Sequence, residues 1–213
     1  ARIVLQDGSQ RLRIRAAAAL TPYGGETGKL LLAGFSAQTA PVRRAILDAL
    51  VAARERHGAP ERPAVFLSDQ SHSALERAAR IIGVRPQGIF RIASDSDYRL
   101  PVDALNETIT RARADGFTPI AVCANAGTTN TGAIDPLPAI GRYCAQQRIW
   151  MHVDAAYGGF AVLCDRGRGL LAGIELADSI SLDAHKWLFQ PFEAGCVLVR
   201  DVATLERAFS VHP

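Results

Sequence analysis

Two residues in this sequence are placed to do chemistry together, one covalent and one electrostatic. Lys186 sits among His185, Trp187, Leu188 and Phe189, bulky company for an ammonium ion. Partial burial lowers an ammonium pKa, and a neutral amine is what attacks an aldehyde to form a Schiff base. A lysine at a core edge, its stem buried and its head in water, would look the same in isolation. Asp154 closes the apolar run Ile149-Trp150-Met151-His152-Val153 and is followed by the small residues Ala155 and Ala156, so its carboxylate projects from a sheet edge into open space. A pyridinium would suit it there: at ~4 Å and an effective dielectric of about 20 the pair is worth roughly 4 kcal/mol, or ~3 pKa units. That is enough to keep a pyridine nitrogen protonated at neutral pH, which makes the ring an electron sink. A strand-end aspartate capping a turn is the plainer alternative.

Other residues gain meaning beside these two. Ala155, Ala156, Gly158 and Gly159 around Tyr157 permit a flat ring to approach the backbone, or simply make a tight turn. His72 is able to stack on an aromatic ligand, or to start a helix. Gly127-Thr128-Thr129 offers amide and hydroxyl donors, or an ordinary Ser/Thr turn. A phosphate-binding P-loop is excluded, because Gly24 to Lys29 is one residue short of the spacing and Leu30 stands where Ser or Thr is needed. There is no G-x-S-x-G elbow, no H-E-x-x-H and no G-x-G-x-x-G after a strand. His152, Asp154 and His185 are conceivable metal ligands, but the position of Asp154 favours a ring, and no metal site is expected.

These residues need a scaffold, and the chain predicts one. From Pro41, the residues Val42, Ala45, Ile46, Ala49, Leu50 and Ala53 recur at helical spacing, with Gly58 as a stop. Short apolar runs then alternate with helices. Strands are expected at 64–67, 89–92, 120–124, 149–153, 180–182 and 196–199. Helices are expected from about Ser73 to Ile82, from Pro101 to before Gly116, and from Ile140 to Gln147. Parallel neighbours need crossover connections, so the alternation predicts an α/β domain with a mostly parallel central sheet flanked by helices. Ligands in such sheets sit beyond the carboxyl ends of strands. Four polar segments fall there, beginning at Ser68, Asn125, Asp154 and Asp183. Residues 1–40 carry an Ala run, Ala16 to Ala19, but no sustained period and no assignment, leaving 41–213 as the domain.

Composition excludes several function classes. The 213 residues are 48% hydrophobic and 21% charged, the profile of a globular protein, with a formal net charge of +3 spread over interleaved Arg, Asp and Glu. No block of like charge suggests a nucleic-acid partner. No apolar run reaches the ~18 residues of a membrane span, and the first ten residues lack a signal-peptide layout. Cys123, Cys144, Cys164 and Cys196 lie far apart with no C-x-x-C pair, which suits reduced thiols and a cytoplasmic location.

Taken together, His152-Val153-Asp154-Ala155-Ala156-Tyr157-Gly158-Gly159 and Ser181-Leu182-Asp183-Ala184-His185-Lys186-Trp187-Leu188 resemble the two signature segments of the group II decarboxylases that depend on pyridoxal 5'-phosphate (PLP). Asp154 and Lys186 stand 32 positions apart, as in that family. Ser68-Asp69-Gln70-Ser71-His72-Ser73 and Ala126-Gly127-Thr128-Thr129 resemble two further segments, in the expected order. The resemblance covers roughly Ala49 to Pro213. It implies the large domain of a fold-type I PLP enzyme, a homodimer acting on a small amino-acid substrate. By residue, it implies that Lys186 carries the Schiff base and Asp154 pairs with the pyridine nitrogen. His72 stacks on one ring face, Ala156 packs on the other, Thr129 lies near the ring substituents, and His185 helps hold the phosphate. The substrate amine would then displace Lys186, and CO2 would leave as electrons flow toward the ring.

Two departures from that family bear on activity. Its Ser/Thr-Gly-Gly-Ser/Thr-Glu phosphate segment shortly precedes the helix matching Ala52-Ala53-Arg54, whereas Gly24-Gly25-Glu26 lies too far upstream. The family also continues beyond the point matching Pro213 into a loop with a catalytic tyrosine and a small C-terminal domain, so the 213 residues alone are expected to have little activity. The Asp-Gln-Ser-His context and Pro191 to Cys196 favour an aromatic L-amino acid as substrate. Alternatives are an acidic, diamino or sulfinic amino-acid decarboxylase, a related aldehyde synthase, or a non-catalytic PLP-binding or scaffold chain.

Overall fold

The structure, a computed structural model, describes residues 31–33, 41–191 and 194–209. Gly24-Gly25-Glu26, the Ala run, and Phe192 and Glu193 of the proposed specificity segment lie outside them. Among the described residues seven strands form one sheet: β1 (Leu31–Ala33), β2 (Pro63–Ser68), β3 (Ile89–Ile92), β4 (Thr118–Asn125), β5 (Trp150–Asp154), β6 (Ser179–Asp183) and β7 (Gly195–Val199). Their spatial order is β1-β7-β6-β5-β4-β2-β3. The strands from β3 across to β6 run parallel, and β7 and β1 join antiparallel at the edge. The sheet is therefore mostly parallel, as the alternation of elements requires.

Helices cover both faces: α1 (Pro41–Arg56), α2 (Ser73–Ile81), α3 (Val102–Ala114), α4 (Leu137–Gln147), α5 (Asp165–Leu170), α6 (Ala184–Trp187) and α7 (Val202–Phe209). Alternate residues of each central strand belong to two separate cores. Val65, Leu67, Ala121, Cys123 and Trp150 pack under α1 and α2. Phe66, Val122, Met151, Val153, Ile180 and Leu182 pack under α3 and α4. Strands buried on both faces lose the alternation of a half-exposed strand, which is why they read in the sequence as short continuous apolar runs. Helix ends follow local chemistry. Gly58, Gly83 and Gly116 take the positive φ that ends α1, α2 and α3, and Arg148 does the same after α4 without a glycine.

The chain steps outward from β2 to β3 and then returns to place β4 on the other side of β2. That reversal is the topological switch point, where a crevice opens beyond the strands' carboxyl ends.

Candidate cofactor site

A cleft opens at that crevice, enclosing about 400 Å³ of space that is partly open to solvent. Each neighbouring strand end contributes to it: His72 after β2; Asn125, Gly127, Thr128 and Thr129 from β4 and its loop; Asp154, Ala156 and Tyr157 from β5 and its loop; and Lys186 from α6 after β6. Ile46 of α1 lines it as well. Five residues singled out in the sequence, Lys186, Asp154, His72, Ala156 and Thr129, thus share one cavity although 114 positions separate the first of them from the last.

Asp154 is held from one side. Its Oδ1 accepts hydrogen bonds from the Ala156 amide at 3.1 Å and from Ser181 Oγ at 3.2 Å, and Ser181 is its register partner on β6. Among the described residues no hydrogen bond reaches Oδ2. The carboxylate is therefore oriented by its neighbours and keeps one oxygen for a ligand. His72 has two functions at once. Its Nδ1 accepts the Ala74 N–H at 3.2 Å, capping α2, so the neutral ring carries its hydrogen on Nε2 while lining the cleft. Thr129 is exposed on the cleft, whereas Thr128 is buried and spent on the turn: its Oγ1 lies 2.7 Å from Thr131 Oγ1 and accepts the Ala133 N–H.

Lys186 Nζ lies 3.1 Å from Oδ2 of Asp183, the last residue of β6. Asp183 is 1% exposed, and its oxygens lack a well-directed hydrogen bond. The lysine ammonium is consequently the main compensation for a buried anion. Burial pushes the Asp183 pKa up, opposed by Lys186 and His185 and reinforced by Asp154. Sequence reasoning assigned Asp183 no role. The signal was its place three residues before Lys186, which becomes a contact only once β6 passes directly into α6. His185 stands apart from the residues lining the cleft: its Nδ1 is 3.2 Å from both the N and O of Ala194, and its Nε2 is 3.9 Å from Asp183.

The glycines after Asp154 are required by close packing of the backbone. A Cβ on Gly158 would meet Ala126 O at 2.3 Å, and one on Gly159 would meet Leu182 Cδ2 at 2.2 Å. Gly127, at φ +93°, faces Gly158 so closely that a Cβ would lie 3.1 Å from its backbone. Gly127 and Gly158 join the loops after β4 and β5 along a backbone seam, closed by Gly158 N–H donating to Ala126 O at 3.1 Å. Gly158→Ala is expected to cost about 1–3 kcal/mol of stability by overpacking. Gly169→Ala, whose Cβ meets open space, should stay within about 0.5 kcal/mol. Thermal midpoints of the two variants check this.

Comparison with known proteins gives this arrangement its context. Residues 19–213 match the pyridoxal-dependent decarboxylase conserved domain. The chain belongs to the pyridoxal-dependent decarboxylase family. It is 42% identical over 169 residues to an aromatic-L-amino-acid decarboxylase of Bacillus atrophaeus, an alignment covering 78% of this chain and 35% of that protein. It is 45% identical over 159 residues to an L-2,4-diaminobutyrate decarboxylase of Rhizobium meliloti, covering 74% of this chain and 32% of the relative. The crystal structure of Oryza sativa TDC with PLP and tryptamine superposes with a TM-score of 0.83 at 33% identity, over 94% of this chain and 43% of that one. This decarboxylase-family chain thus spans about a third of the length of the curated relatives it matches. Its fold is the fold-type I large-domain architecture. The residues on the cleft fit the family's group: an amine, a carboxylate with an uncommitted oxygen, and the small side chain of Ala156.

Proposed function

We propose that this protein binds PLP covalently through Lys186 and decarboxylates an aromatic L-amino acid, releasing the amine and CO2. The observation that carries the reading is the convergence of Lys186 and Asp154 on one cleft at the topological switch point, with Asp154 oriented and one of its oxygens open. When bound, PLP supplies an electron sink for the pair left behind as CO2 departs. The chain's residues do the rest. Lys186 anchors the group and yields to the substrate amine. Asp154 holds a positive charge on the ring nitrogen through its open oxygen. His72 and Ala156 would flank a flat ring, Thr129 would face its substituents, and His185, which stands outside the cleft lining, would support the phosphate end.

An aromatic substrate is favoured by the relative from Bacillus and by the tryptamine-bound rice structure. The Rhizobium relative supports the diamino alternative. A homodimer is proposed as well: Tyr157 and Trp187 stack edge to face at 5.8 Å while each is more than 40% exposed, and Phe189 is 97% exposed beside them in sequence. Apolar aromatics so exposed at a cleft mouth suit a subunit contact. The four cysteines are all unpaired, which suits a reducing, cytoplasmic compartment. Among the described residues no helix is long and apolar enough to cross a membrane.

Borohydride reduction of PLP-loaded protein followed by peptide mapping tests the attachment, and the label is expected on Lys186. Label on another lysine, or on none, refutes it. CO2 release from a panel of aromatic, acidic, diamino and sulfinic amino acids tests the substrate class. The aromatic members are expected to turn over fastest, and a preference for another class overturns that assignment.

A further inference from the structure

One face of β5 and β6 carries a file of polar side chains shut away from solvent. Trp150, His152 and Asp154 alternate along β5, and Ser179, Ser181 and Asp183 along β6, with His152 opposite Ser179 and Asp154 opposite Ser181. A strand covered by helices usually fills such positions with aliphatic side chains, because a buried polar group is costly unless it is hydrogen-bonded. Ser181 is accounted for by Asp154, and Asp183 by Lys186. His152 is not. It is 0% exposed, its Nδ1 lies 2.9 Å from Ser179 Oγ, and its Nε2 is buried with no partner among the described residues.

The hydrogen bonds decide where the imidazole proton sits. Trp150 Nε1 can only donate, so its 2.8 Å bond makes Ser179 Oγ an acceptor. The serine hydroxyl has one proton of its own, and His152 Nδ1 is the partner left to take it. Nδ1 therefore accepts, and the neutral ring carries its hydrogen on Nε2. Burial keeps the ring neutral, drawing its pKa down to about 4 against the opposing pull of Asp154. At neutral pH, His152 is thus a donor whose N–H is undelivered. Two residues further along the same strand face stands Asp154, whose Oδ1 takes two hydrogen bonds and whose Oδ2 takes none among the described residues.

We propose that His152 is a positioning residue for Asp154: in the loaded protein its Nε2–H, without a partner among the described residues, turns to the carboxylate oxygen that also faces the ring, which has a lone pair for each, with Trp150 and Ser179 locking the tautomer that makes this possible. The inference rests on the PLP reading, since it acts on the group that pairs with the ring nitrogen. A donated N–H favours the ionised carboxylate, and a more acidic partner leaves the proton more completely on the ring nitrogen. His152 touches neither ring nor substrate in this scheme; it acts through Asp154.

The test uses purified protein loaded with PLP carrying 15N at the ring nitrogen. His152→Leu removes the donor, His152→Gln keeps an amide N–H at similar reach, and Ser179→Ala removes the tautomer lock. The 15N resonance is expected to move from the pyridinium toward the neutral-pyridine position in His152→Leu, to stay with wild type in His152→Gln, and to fall between in Ser179→Ala. In turnover assays His152→Leu should lose about tenfold to a hundredfold in kcat, the worth of one hydrogen bond to a charged group, with KM nearly unchanged. A wild-type resonance in folded His152→Leu overturns the inference. If that variant fails to fold by circular dichroism, Ser179→Ala decides alone: a shifted resonance supports the proposal, and an unshifted one overturns it. If the wild-type protein forms no adduct with PLP, the reading of the site fails, and this inference fails with it.

Discussion

Lys186→Ala protein incubated with PLP is expected to show no adduct that survives borohydride reduction and to lose decarboxylation by on the order of a thousandfold or more, as when a covalent catalyst is removed. The geometry argues for so large an effect. Lys186 is the lysine on the cleft, placed there by the passage of β6 into α6, and its Nζ is tethered 3.1 Å from Asp183. A lysine elsewhere cannot replace an amine held at that point, because attachment depends on proximity as well as on nucleophilicity. Mass spectrometry of the reduced protein and CO2 release are the two measurements. A reduced adduct of normal stoichiometry in Lys186→Ala would refute the assignment. The variant should also expose Asp183 as a buried carboxylate stripped of its cation, so its thermal midpoint is to be recorded alongside.

Asp154→Ala is expected to separate chemistry from retention. A carboxylate ~4 Å from a ring cation contributes roughly 4 kcal/mol at an effective dielectric of about 20, which corresponds to about a thousandfold in any step that depends on ring protonation. The attachment through Lys186 persists, so the adduct should still form and still be reducible. Single-turnover CO2 release and adduct stoichiometry measure the two quantities on the same sample. Near wild-type release in Asp154→Ala would sink the proposed role. Loss of the adduct in step with activity would show that Asp154 serves binding instead of chemistry.

The scaffold was largely legible because its signals are local. α1 and α2 were found between a starting residue and a glycine that takes positive φ, and the central strands were found as apolar runs bounded by turns. Boundaries slipped where the signal is shared. α4 begins at Leu137 and not at Ile140, because Pro138 in its first turn extends the helix ahead of the apolar period. β1 was invisible: three residues at a sheet edge are fixed by antiparallel pairing with β7, more than 160 positions away, and nothing in Leu31–Ala33 itself encodes that.

The site divides in the same way. Lys186, Asp154, His72, Ala156 and Thr129 each follow a strand, and the rule that ligands gather at strand carboxyl ends brought them to one place. The partners that orient them were not legible. Ser181 beneath Asp154, and Ser179 beneath His152, are set by register between β5 and β6. A shift of one residue would turn those serines to the opposite face, and no local pattern distinguishes the two registers. The glycines were seen, as room for a ring or as a tight turn, but not what they face: Ala126 in the loop after β4 for Gly158, and Leu182 of β6 for Gly159.

That seam of Gly127 against Gly158 has a consequence for how the protein meets its ligands. Loops joined backbone to backbone cannot move independently, so Thr129, Asp154 and Ala156 are carried on one rigid unit before any ligand arrives. A preorganised wall spends no binding energy on ordering itself, whereas a floppy one loses roughly 0.5–1.5 kcal/mol for each side chain it must immobilise. Adaptation to a new substrate would accordingly fall to the exposed rim, where Tyr157 and Trp187 lean on each other, and leave the wall unchanged. Sequence drift among relatives with different substrates should concentrate at that rim.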